Sequence, residues 1–396
     1  MKRTVDVSIP IGPIHPCFKE PARVKCETKG EFVLSAEVEL GYMKKGIERI
    51  MRGRPWQEVM FLAERVCGIC SHSHATAFAK GIEEIMGVEI PPRARYIRTI
   101  IAELERMHSH LLWLGVAAHE IGFNTLFMWT WRDREAVQDT LEEMSGNRVH
   151  YGMNEIGGVR RDLTPAQVSA ALARLPYLEE RIKKYQEMVN SEETMLIRFR
   201  GVGRMSKEEA LKYGAVGPTA RASGVDYDVR RDDPYLAYAE VPWNVVTDTH
   251  GDVYGRTRVR VGELWESIQI VRSCLENLPA GPIRAAAPKN APKGEIFSRY
   301  EAPRGELAHF IRTNGTDKVE RVDIRSPTLA NWTSVAMCLV NQNLADIPVI
   351  VAAIDPCLSC TCRMVVVNQK SGMTVSDTTK LGFAGDPGGR RTRERP

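Results

Sequence analysis

The chain has 396 residues, of which 43% are hydrophobic and 26% charged. This composition is typical of a folded globular protein and excludes a disordered chain, and the length allows one large core or two smaller ones. The formal net charge of +4 is mild, and Lys and Arg are spread along the sequence rather than grouped with aromatic residues. We therefore expect no nucleic-acid partner, because a nucleic-acid groove needs clustered positive charge.

The longest apolar stretch, residues 344–354, contains Asp346 and Pro348. It is well short of the roughly 20 apolar residues that span a bilayer, so we expect that the chain itself does not cross a membrane. The first residues, MKRTVDVSIPIGP, contain no apolar block of a signal peptide, which predicts synthesis in the cytosol. Nine cysteines in a cytosolic chain indicate thiol or metal chemistry rather than disulfides.

In chain order, the sequence begins with short strands and continues with helices. Alternating apolar residues over 5–9 and 31–40 predict strands separated by Gly/Pro turns. Apolar residues three or four apart then predict a series of helices, over 57–86 with an interruption at Gly68, 92–121, 124–144, 166–196, 256–278 and 329–344. The predicted fold class is α+β and mainly α, a large helical bundle with a small N-terminal β-sheet.

This order of elements predicts three regions. Residues 1–55 form a strand-rich N-terminal region, and residues 56–363 form the helical region that contains the candidate site. Residues 364–396 form a C-terminal tail, whose last part, 385–396, is rich in Gly, Pro and Arg and offers little to pack.

Two Cys-x-x-Cys pairs are the strongest chemical signal in the sequence. Cys67 and Cys70 form the first pair, and Cys357 and Cys360 form the second. Two intervening residues allow both thiolates of a pair to reach one metal, and four sulfur ligands favour zinc, iron or nickel over magnesium or calcium. The spacing predicts a four-thiolate metal site and leaves the metal open.

A structural zinc site is one alternative. However, zinc ribbons usually take their pairs from neighbouring loops, whereas these pairs lie almost 300 residues apart. A site that joins the two ends of a large chain is expected to lie deep in the fold. A thioredoxin-like dithiol is the other alternative, but it would need only one pair in a strand-turn-helix setting.

The residues around both pairs resemble a known family. Arg-x-Cys-Gly-x-Cys-x-x-x-His over 65–74 and Asp-Pro-Cys-x-x-Cys over 355–360 resemble the paired signature of nickel-iron hydrogenase large subunits. Further segments resemble the energy-converting, membrane-associated branch of these hydrogenases, namely 12–16, 109–115, 157–162, 217–228, 251–256 and 300–307. Several also resemble the quinone-site subunit of respiratory complex I, which shares the fold but has lost the nickel cysteines.

The resemblance implies the nickel-iron hydrogenase large-subunit fold and reversible reduction of protons to dihydrogen at a nickel-iron centre. Cys67 and Cys357 would be terminal nickel ligands, while Cys70 and Cys360 would bridge nickel to iron. Carbon monoxide and cyanide would be the remaining ligands of the iron. A thiolate, for which we take Cys357, would accept the proton when dihydrogen is split.

Four further residues receive roles from the same resemblance or from their positions. Arg304, otherwise a solvated loop arginine, would place its guanidinium over the open face of the metals. Glu20 would relay protons from the nickel thiolate, with a surface glutamate as the alternative. His74 is expected to bond a ligand sulfur or a group next to it, and Asp355 to orient the ligand turn by bonding backbone N–H groups. His108, on the apolar stripe of its helix, is predicted to be a core histidine with its hydrogen bonds satisfied.

The remaining isolated cysteines show no ferredoxin-like run, so we expect no iron-sulfur cluster in this chain. They are Cys17, Cys26, Cys274 and Cys338. The resemblance therefore implies a small iron-sulfur subunit with a cubane cluster, complex I-like membrane subunits, and ferredoxin as the indirect electron donor. It also implies a peripheral position on the cytoplasmic face of the cell membrane, held by these partners.

Two features depart from the family pattern. Cys362 adds a fifth thiol beside the second pair. Many relatives are cleaved at the position of Arg363 after nickel insertion, yet residues 364–396 follow it here, so this branch keeps its tail or the chain is an unprocessed form. Two other functions stay open: a complex I-like or sulfur-reducing subunit of the same fold, and a zinc-stabilised scaffold without catalysis.

Overall fold

The computed structural model describes residues 6–361. Cys362 and the predicted tail, residues 364–396, lie outside the described residues. The strands are β1 (Val7–Ile11), β2 (Arg23–Lys29), β3 (Phe32–Glu39), β4 (Asn154–Glu155), β5 (Gly158–Val159), β6 (Lys293–Ala302), β7 (Gly305–Asn314) and β8 (Val319–Arg325). The helices are α1 (Ile47–Met51), α2 (Trp56–Glu64), α3 (Ser71–Met86), α4 (Pro92–Glu120), α5 (Asn124–Ser145), α6 (Pro165–Ser191), α7 (Glu193–Phe199), α8 (Lys207–Lys212), α9 (Pro218–Arg221), α10 (Val229–Asp232), α11 (Val253–Glu276), α12 (Pro327–Leu339) and α13 (Ile347–Ala353), with a 3₁₀ turn at Leu344–Asp346.

The predicted fold class is confirmed: a helical bundle carries a small antiparallel sheet, β1-β2-β3, at its N-terminus. The long predicted helices correspond to α3–α6, α11 and α12 within a few residues at their ends. The predicted interruption at Gly68 is also found, since the chain leaves α2 at Glu64 and enters α3 only at Ser71. In the described part of the chain, no helix is both long and apolar enough to cross a membrane.

Helix α4 is the central helix of the bundle, although its sequence predicts only one apolar stripe. It is buried on nearly all sides and packs against α5, α11 and α13. Several of its charged residues are buried in ion pairs; Arg98, for example, donates to both carboxylate oxygens of Glu83 at 2.9 and 2.7 Å. Such bidentate pairing offsets the cost of taking both charges out of water.

A second sheet was not predicted. Strands β6, β7 and β8 form an antiparallel meander between the predicted helices 256–278 and 329–344, where the sequence pattern predicts neither a helix nor a strand. The register pairs Ala302 with Gly305, so Pro303 and Arg304 form a two-residue hairpin turn. This Pro-Arg-Gly turn resembled an ordinary loop because the strands beside it combine polar residues with only a few β-branched ones. Arg304 therefore stands at the rigid tip of a hairpin.

Two clusters of buried apolar side chains form the interior. The larger one lies among the helices of the bundle and includes the four paired cysteines. The smaller one joins the N-terminal sheet to α12 and α13, with Val24 and Val38 on the sheet side and Trp332 and Ile350 on the helix side. The second Cys pair follows α13 directly, so the packing of the N-terminal sheet also fixes the position of that pair.

Candidate metal centre

The first Cys pair lies in the turn between α2 and α3. Cys70 precedes the first residue of α3, and the backbone N–H groups of Ile69 and Cys70 point at the sulfur of Cys67, at 3.2 and 3.4 Å. Such N–H donors stabilise a thiolate. The short turn therefore prepares Cys67 as an anionic ligand.

The second pair lies in the turn that follows α13. Asp355 adopts a left-handed backbone conformation with φ of 57°, and its N–H donates to the carbonyl of Ala352. The backbone N–H of Cys357 donates to the hydroxyl of Thr328 at 3.1 Å. These contacts reverse the chain direction and turn both sulfurs of the pair toward the bundle.

The four sulfur atoms converge in one buried group, all within 4.8 Å of one another. Cys67 Sγ lies 3.2 Å from Cys357 Sγ, Cys70 Sγ lies 3.7 Å from Cys360 Sγ, and the second pair is separated by 3.0 Å. Four thiolates around one ion with bonds of about 2.3 Å would stand roughly 3.8 Å apart. The donor set therefore fits a soft metal ion with little rearrangement.

The close approach of the four thiols shifts their pKa values in opposite directions. Hydrogen bonds from Cys357 and Cys360 hold the pKa of Cys67 well below its usual range. Interaction with Cys357 raises the pKa of Cys70 well above its usual range, and burial does the same for the pKa of Cys360. Without a cation the four buried sulfurs are therefore not all ionised together, whereas a bound metal would keep all of them deprotonated.

Glu105 on α4 holds the start of α3, a role that the sequence did not suggest. Its carboxylate accepts the backbone N–H groups of His72 and Ser73, at 2.7 and 3.0 Å, and the Ser73 hydroxyl at 2.5 Å. Burial raises the pKa of Glu105 to about 8, and the bonds from Ser73 and His72 act against this rise. Since Cys70 makes no capping bond with its own side chain, Glu105 serves as the cap of the helix that follows the first pair.

Arg304, at the tip of the β6–β7 hairpin, lies near the sulfur group and is 3% exposed. Its Nε donates to the carbonyl of Asp355 at 2.8 Å, Nη2 to the Asp355 carboxylate at 2.8 Å, and Nη1 to the Ser109 hydroxyl at 3.2 Å. Burial lowers its pKa, but Asp355 and Cys357 outweigh this effect and raise the pKa well above its usual range. The side chain is therefore a permanent cation with a fixed orientation.

The hairpin tip is held by a close approach of two glycine backbones. Gly305 has φ of 125°, and a Cβ atom on it would lie 2.7 Å from the Gly217 nitrogen and 2.8 Å from its Cα. We expect Gly305→Ala to lower the free energy of unfolding by about 1–3 kcal/mol and to displace Arg304. Thermal unfolding and metal content would measure both effects.

Gly315→Ala is the matched control, because Gly315 also has a positive φ, of 88°, but its Cβ would meet nothing closer than 4.0 Å. Equal losses in the two variants would mean that only backbone strain, and not the close approach, matters at Gly305.

The prediction that Asp355 bonds backbone N–H groups was wrong. Its carboxylate accepts from Arg304 rather than from backbone N–H groups, while its second oxygen, Oδ2, has no partner among residues 6–361. The left-handed backbone at Asp355 turns the side chain away from the amides that follow it and toward the hairpin. Asp355 consequently joins the ligand turn to Arg304.

Glu20 and His74 both lie at the cysteine pairs. The Glu20 carboxylate accepts the backbone N–H of Ser359 at 2.7 Å and the Ser359 hydroxyl, so it holds the turn between Cys357 and Cys360. His74 Nε2 lies 3.4 Å from Cys360 Sγ. The predicted contact of His74 with a ligand sulfur is thus present, with Cys360 as the partner.

The prediction for His108 was wrong in one respect. The ring is buried, but neither of its nitrogens has a hydrogen-bond partner within the described range 6–361. Burial lowers its pKa well below the usual range, with the charges of Arg134 and Arg304 acting in the same direction. His108 is therefore a neutral histidine without the hydrogen bonds that the apolar stripe led us to expect.

A cavity of about 170 Å³ adjoins one side of the sulfur group. Cys67, Cys357 and Arg304 are among the residues that line it. Its walls are largely apolar, with Leu112 and Trp113 among them. The cavity therefore offers a largely apolar space beside two of the thiols.

Sequence comparisons show which family the chain belongs to. The profile described as "Respiratory-chain NADH dehydrogenase, 49 Kd subunit" matches residues 120–292 and 286–363. The profile described as "Nickel-dependent hydrogenase" matches residues 45–121, which include the first Cys pair. The alpha subunit of the membrane-bound hydrogenase of Pyrococcus furiosus is 42% identical over 395 residues, with 95% of this chain and 92% of the relative covered. The chain belongs to this family of hydrogenase and complex I subunits.

Further members of the family show its range. The carbon monoxide-induced hydrogenase of Rhodospirillum rubrum is 38% identical, with 90% of this chain and 99% of the relative covered. Among solved structures, that of the membrane-bound sulfane sulfur reductase, an archaeal respiratory membrane complex, matches with a TM-score of 0.86 at 30% identity, covering 91% of this chain and 99% of the other. The family resemblance inferred from the Cys motifs is confirmed, and the chain is a member of an oxidoreductase family.

Proposed function

We propose that this chain is the catalytic subunit of a nickel-iron hydrogenase that interconverts protons, electrons and dihydrogen. The observation that carries the proposal is the meeting of four buried cysteine sulfurs beside a fixed arginine cation. The family includes hydrogenases with closely similar sequences, which supports the same assignment.

Cys67, Cys70, Cys357 and Cys360 would hold the nickel-iron centre, whose iron would also carry carbon monoxide and cyanide. When bound, this centre supplies the heterolytic cleavage of dihydrogen and its reverse. The residues of the chain position it: Glu105 and Glu20 hold the two ligand turns, and the buried surroundings exclude bulk water.

Arg304 would stabilise negative charge that develops at the centre. It lies in a low-dielectric pocket and is already oriented by Asp355 and Ser109. A charge fixed in this way acts without reorganisation during the reaction. Because guanidinium stays protonated, Arg304 would act through its charge and not as an acid.

Cys357 would take up a proton during turnover and pass it toward Glu20, since both residues line the same cavity. The Glu20 carboxylate is anchored on Ser359, two residues beyond Cys357. A carboxylate at this place can accept a proton and return it, whereas an amide can only hold the turn.

We therefore expect Glu20→Gln to keep the metal content and lower turnover by about 10²–10⁴-fold, the usual contribution of a positioned acid or base. Exchange of dihydrogen with solvent deuterons measures this proton step. Glu27→Gln is the control, because Glu27 also accepts a serine hydroxyl, that of Ser35 at 2.9 Å, but lies in the N-terminal sheet. Unchanged exchange in Glu20→Gln would show that Glu20 only holds the turn.

The proposal includes partner subunits. An iron-sulfur subunit with a cubane cluster would deliver electrons, with ferredoxin as the indirect donor, and complex I-like membrane subunits would couple turnover to ion translocation. The relatives named as membrane-bound hydrogenase and respiratory membrane complex support this assembly. The chain would lie peripherally on the cytoplasmic face of the membrane.

Metal analysis and infrared spectroscopy of the purified complex test the assignment. We expect nickel and iron in the chain and bands from metal-bound carbon monoxide and cyanide. Zinc without nickel would instead support the scaffold alternative. Nickel-free protein that reduces sulfane sulfur or a quinone would support the sulfur-reducing or complex I-like alternative, which the similarity to the sulfane sulfur reductase structure favours.

A further inference from the structure

His74 is one half of a buried histidine pair that reaches from the candidate metal centre into the second sheet. His74 Nδ1 lies 3.1 Å from His309 Nε2, with the ring centroids 5.3 Å apart. His309 lies on β7, opposite Ser298 on β6 and Ile324 on β8. Both rings have no exposed surface, which disfavours a charge on either.

Two neutral arrangements of the pair are possible. In the first, His309 Nε2–H donates to His74 Nδ1, and His74 then carries its proton on Nε2, facing the sulfur of Cys360. In the second, His74 Nδ1–H donates to His309, and an unprotonated His74 Nε2 faces the same sulfur. The two arrangements differ in which groups they leave without partners.

Two observations favour the first arrangement. His309 Nδ1 has no partner among residues 6–361, so the second arrangement would bury an N–H donor without an acceptor. Unpaired buried donors are rarer in proteins than unpaired acceptors. In addition, the second arrangement would set a nitrogen lone pair against a thiolate, only 3.4 Å away.

We propose that His309 is a positioning residue that holds His74 in the tautomer whose Nε2–H donates to the sulfur of Cys360. The inference rests on the proposed function only in taking Cys360 as a metal-bound thiolate. His309 thus acts through His74, much as partners beyond the ligand shell orient ligands in other metal sites. A hydrogen bond to the sulfur would lower its electron donation to the metals.

Two substitutions of His309 separate hydrogen bonding from packing. His309→Phe keeps a ring of similar shape but removes the donor, whereas His309→Gln retains an amide N–H that can reach His74 Nδ1. His119→Gln is the control, because His119 is an exposed histidine at the end of α4 whose ring bonds Asn124. Thermal unfolding of each complex shows whether the variants fold.

The direct measurement is the tautomer of His74 in the metal-loaded complex, read by solid-state nitrogen NMR with labelled histidine. The His74 signal is identified as the one that His74→Gln removes. We expect the Nε2–H tautomer in the wild type, in His309→Gln and in His119→Gln, and loss of it in His309→Phe. An unchanged tautomer in His309→Phe, or the same change in both His309 variants, would overturn the inference.

Infrared spectra provide the second measurement and separate this inference from the proposed function. His309→Phe should shift the carbon monoxide and cyanide bands to lower wavenumber, and His309→Gln should leave them in place. Absence of these bands in the wild type would refute the proposed function, while the nitrogen spectra would still decide the tautomer for whichever metal the thiolates hold.

Discussion

Cys357→Ser and Cys67→Ser are each expected to abolish hydrogen turnover and to remove most of the bound nickel. The hydroxyl of serine stays protonated at neutral pH and is a poor ligand for a soft metal ion. Loss of even an outer partner of a metal ligand costs up to about 100-fold in affinity or activity, and loss of a ligand itself should exceed this. Nickel per chain and dihydrogen production measure the effect.

Cys274→Ser is the matched control for these variants. Cys274 is also fully buried, but it lies on α11 and does not belong to the sulfur group. Its serine can bond a carbonyl one turn back in the helix, so we expect only a modest loss of stability and full nickel content. Nickel retained at wild-type level in Cys67→Ser would contradict the four-thiolate site.

Arg304→Lys is expected to lower turnover per bound nickel by about one to three orders of magnitude, the range for one preorganised electrostatic group. Lysine keeps the charge, but its compact ammonium lacks the planar fork from which Arg304 bonds Asp355 and Ser109 through three separate nitrogens. We also expect a loss of about 1–3 kcal/mol in the free energy of unfolding, because the Asp355 carboxylate stays buried with a poorer partner. Steady-state assays normalised to nickel and thermal unfolding measure the two effects.

Asp355→Asn helps to separate the two contributions, since it removes the carboxylate charge and leaves the guanidinium in place. If Arg304→Lys loses stability as Asp355→Asn does but keeps the wild-type activity per bound nickel, Arg304 serves the fold alone.

The helices were predictable because their apolar spacing is regular over several turns, and the N-terminal strands because their residues alternate. Strands β6–β8 were not predictable, since the register that pairs Ala302 with Gly305 arises only when the sheet packs against α3. The division into regions 1–55, 56–363 and 364–396 stays a prediction.

The four cysteines were recognisable because a Cys-x-x-Cys spacing has few other uses. The residues that hold these cysteines in place were not recognisable, since no motif assigns Glu105, Ser109 or His309 a contact at the site, although Ser109 begins a segment that resembles the family. Glu105 and Ser109 lie on α4 and His309 lies on β7, and each meets the site only through a tertiary contact across 32 to 235 residues. Glu20 was identified only through the family resemblance, and its bond to Ser359 could not be derived from either local sequence.

The separation of the two ligand turns by 290 residues also affects how the protein is made. At about 5–20 residues per second, the ribosome delivers the second turn roughly 15 to 60 s after the first. During that interval the first Cys pair has no second pair beside it, so its thiols can be oxidised or can bind another metal ion. A metal that finally ties the two turns together closes a loop whose ordering otherwise costs roughly 5 to 6 kcal/mol. Under the proposed function, completion of the centre is therefore a late event of biogenesis that fixes both ligand turns in one step.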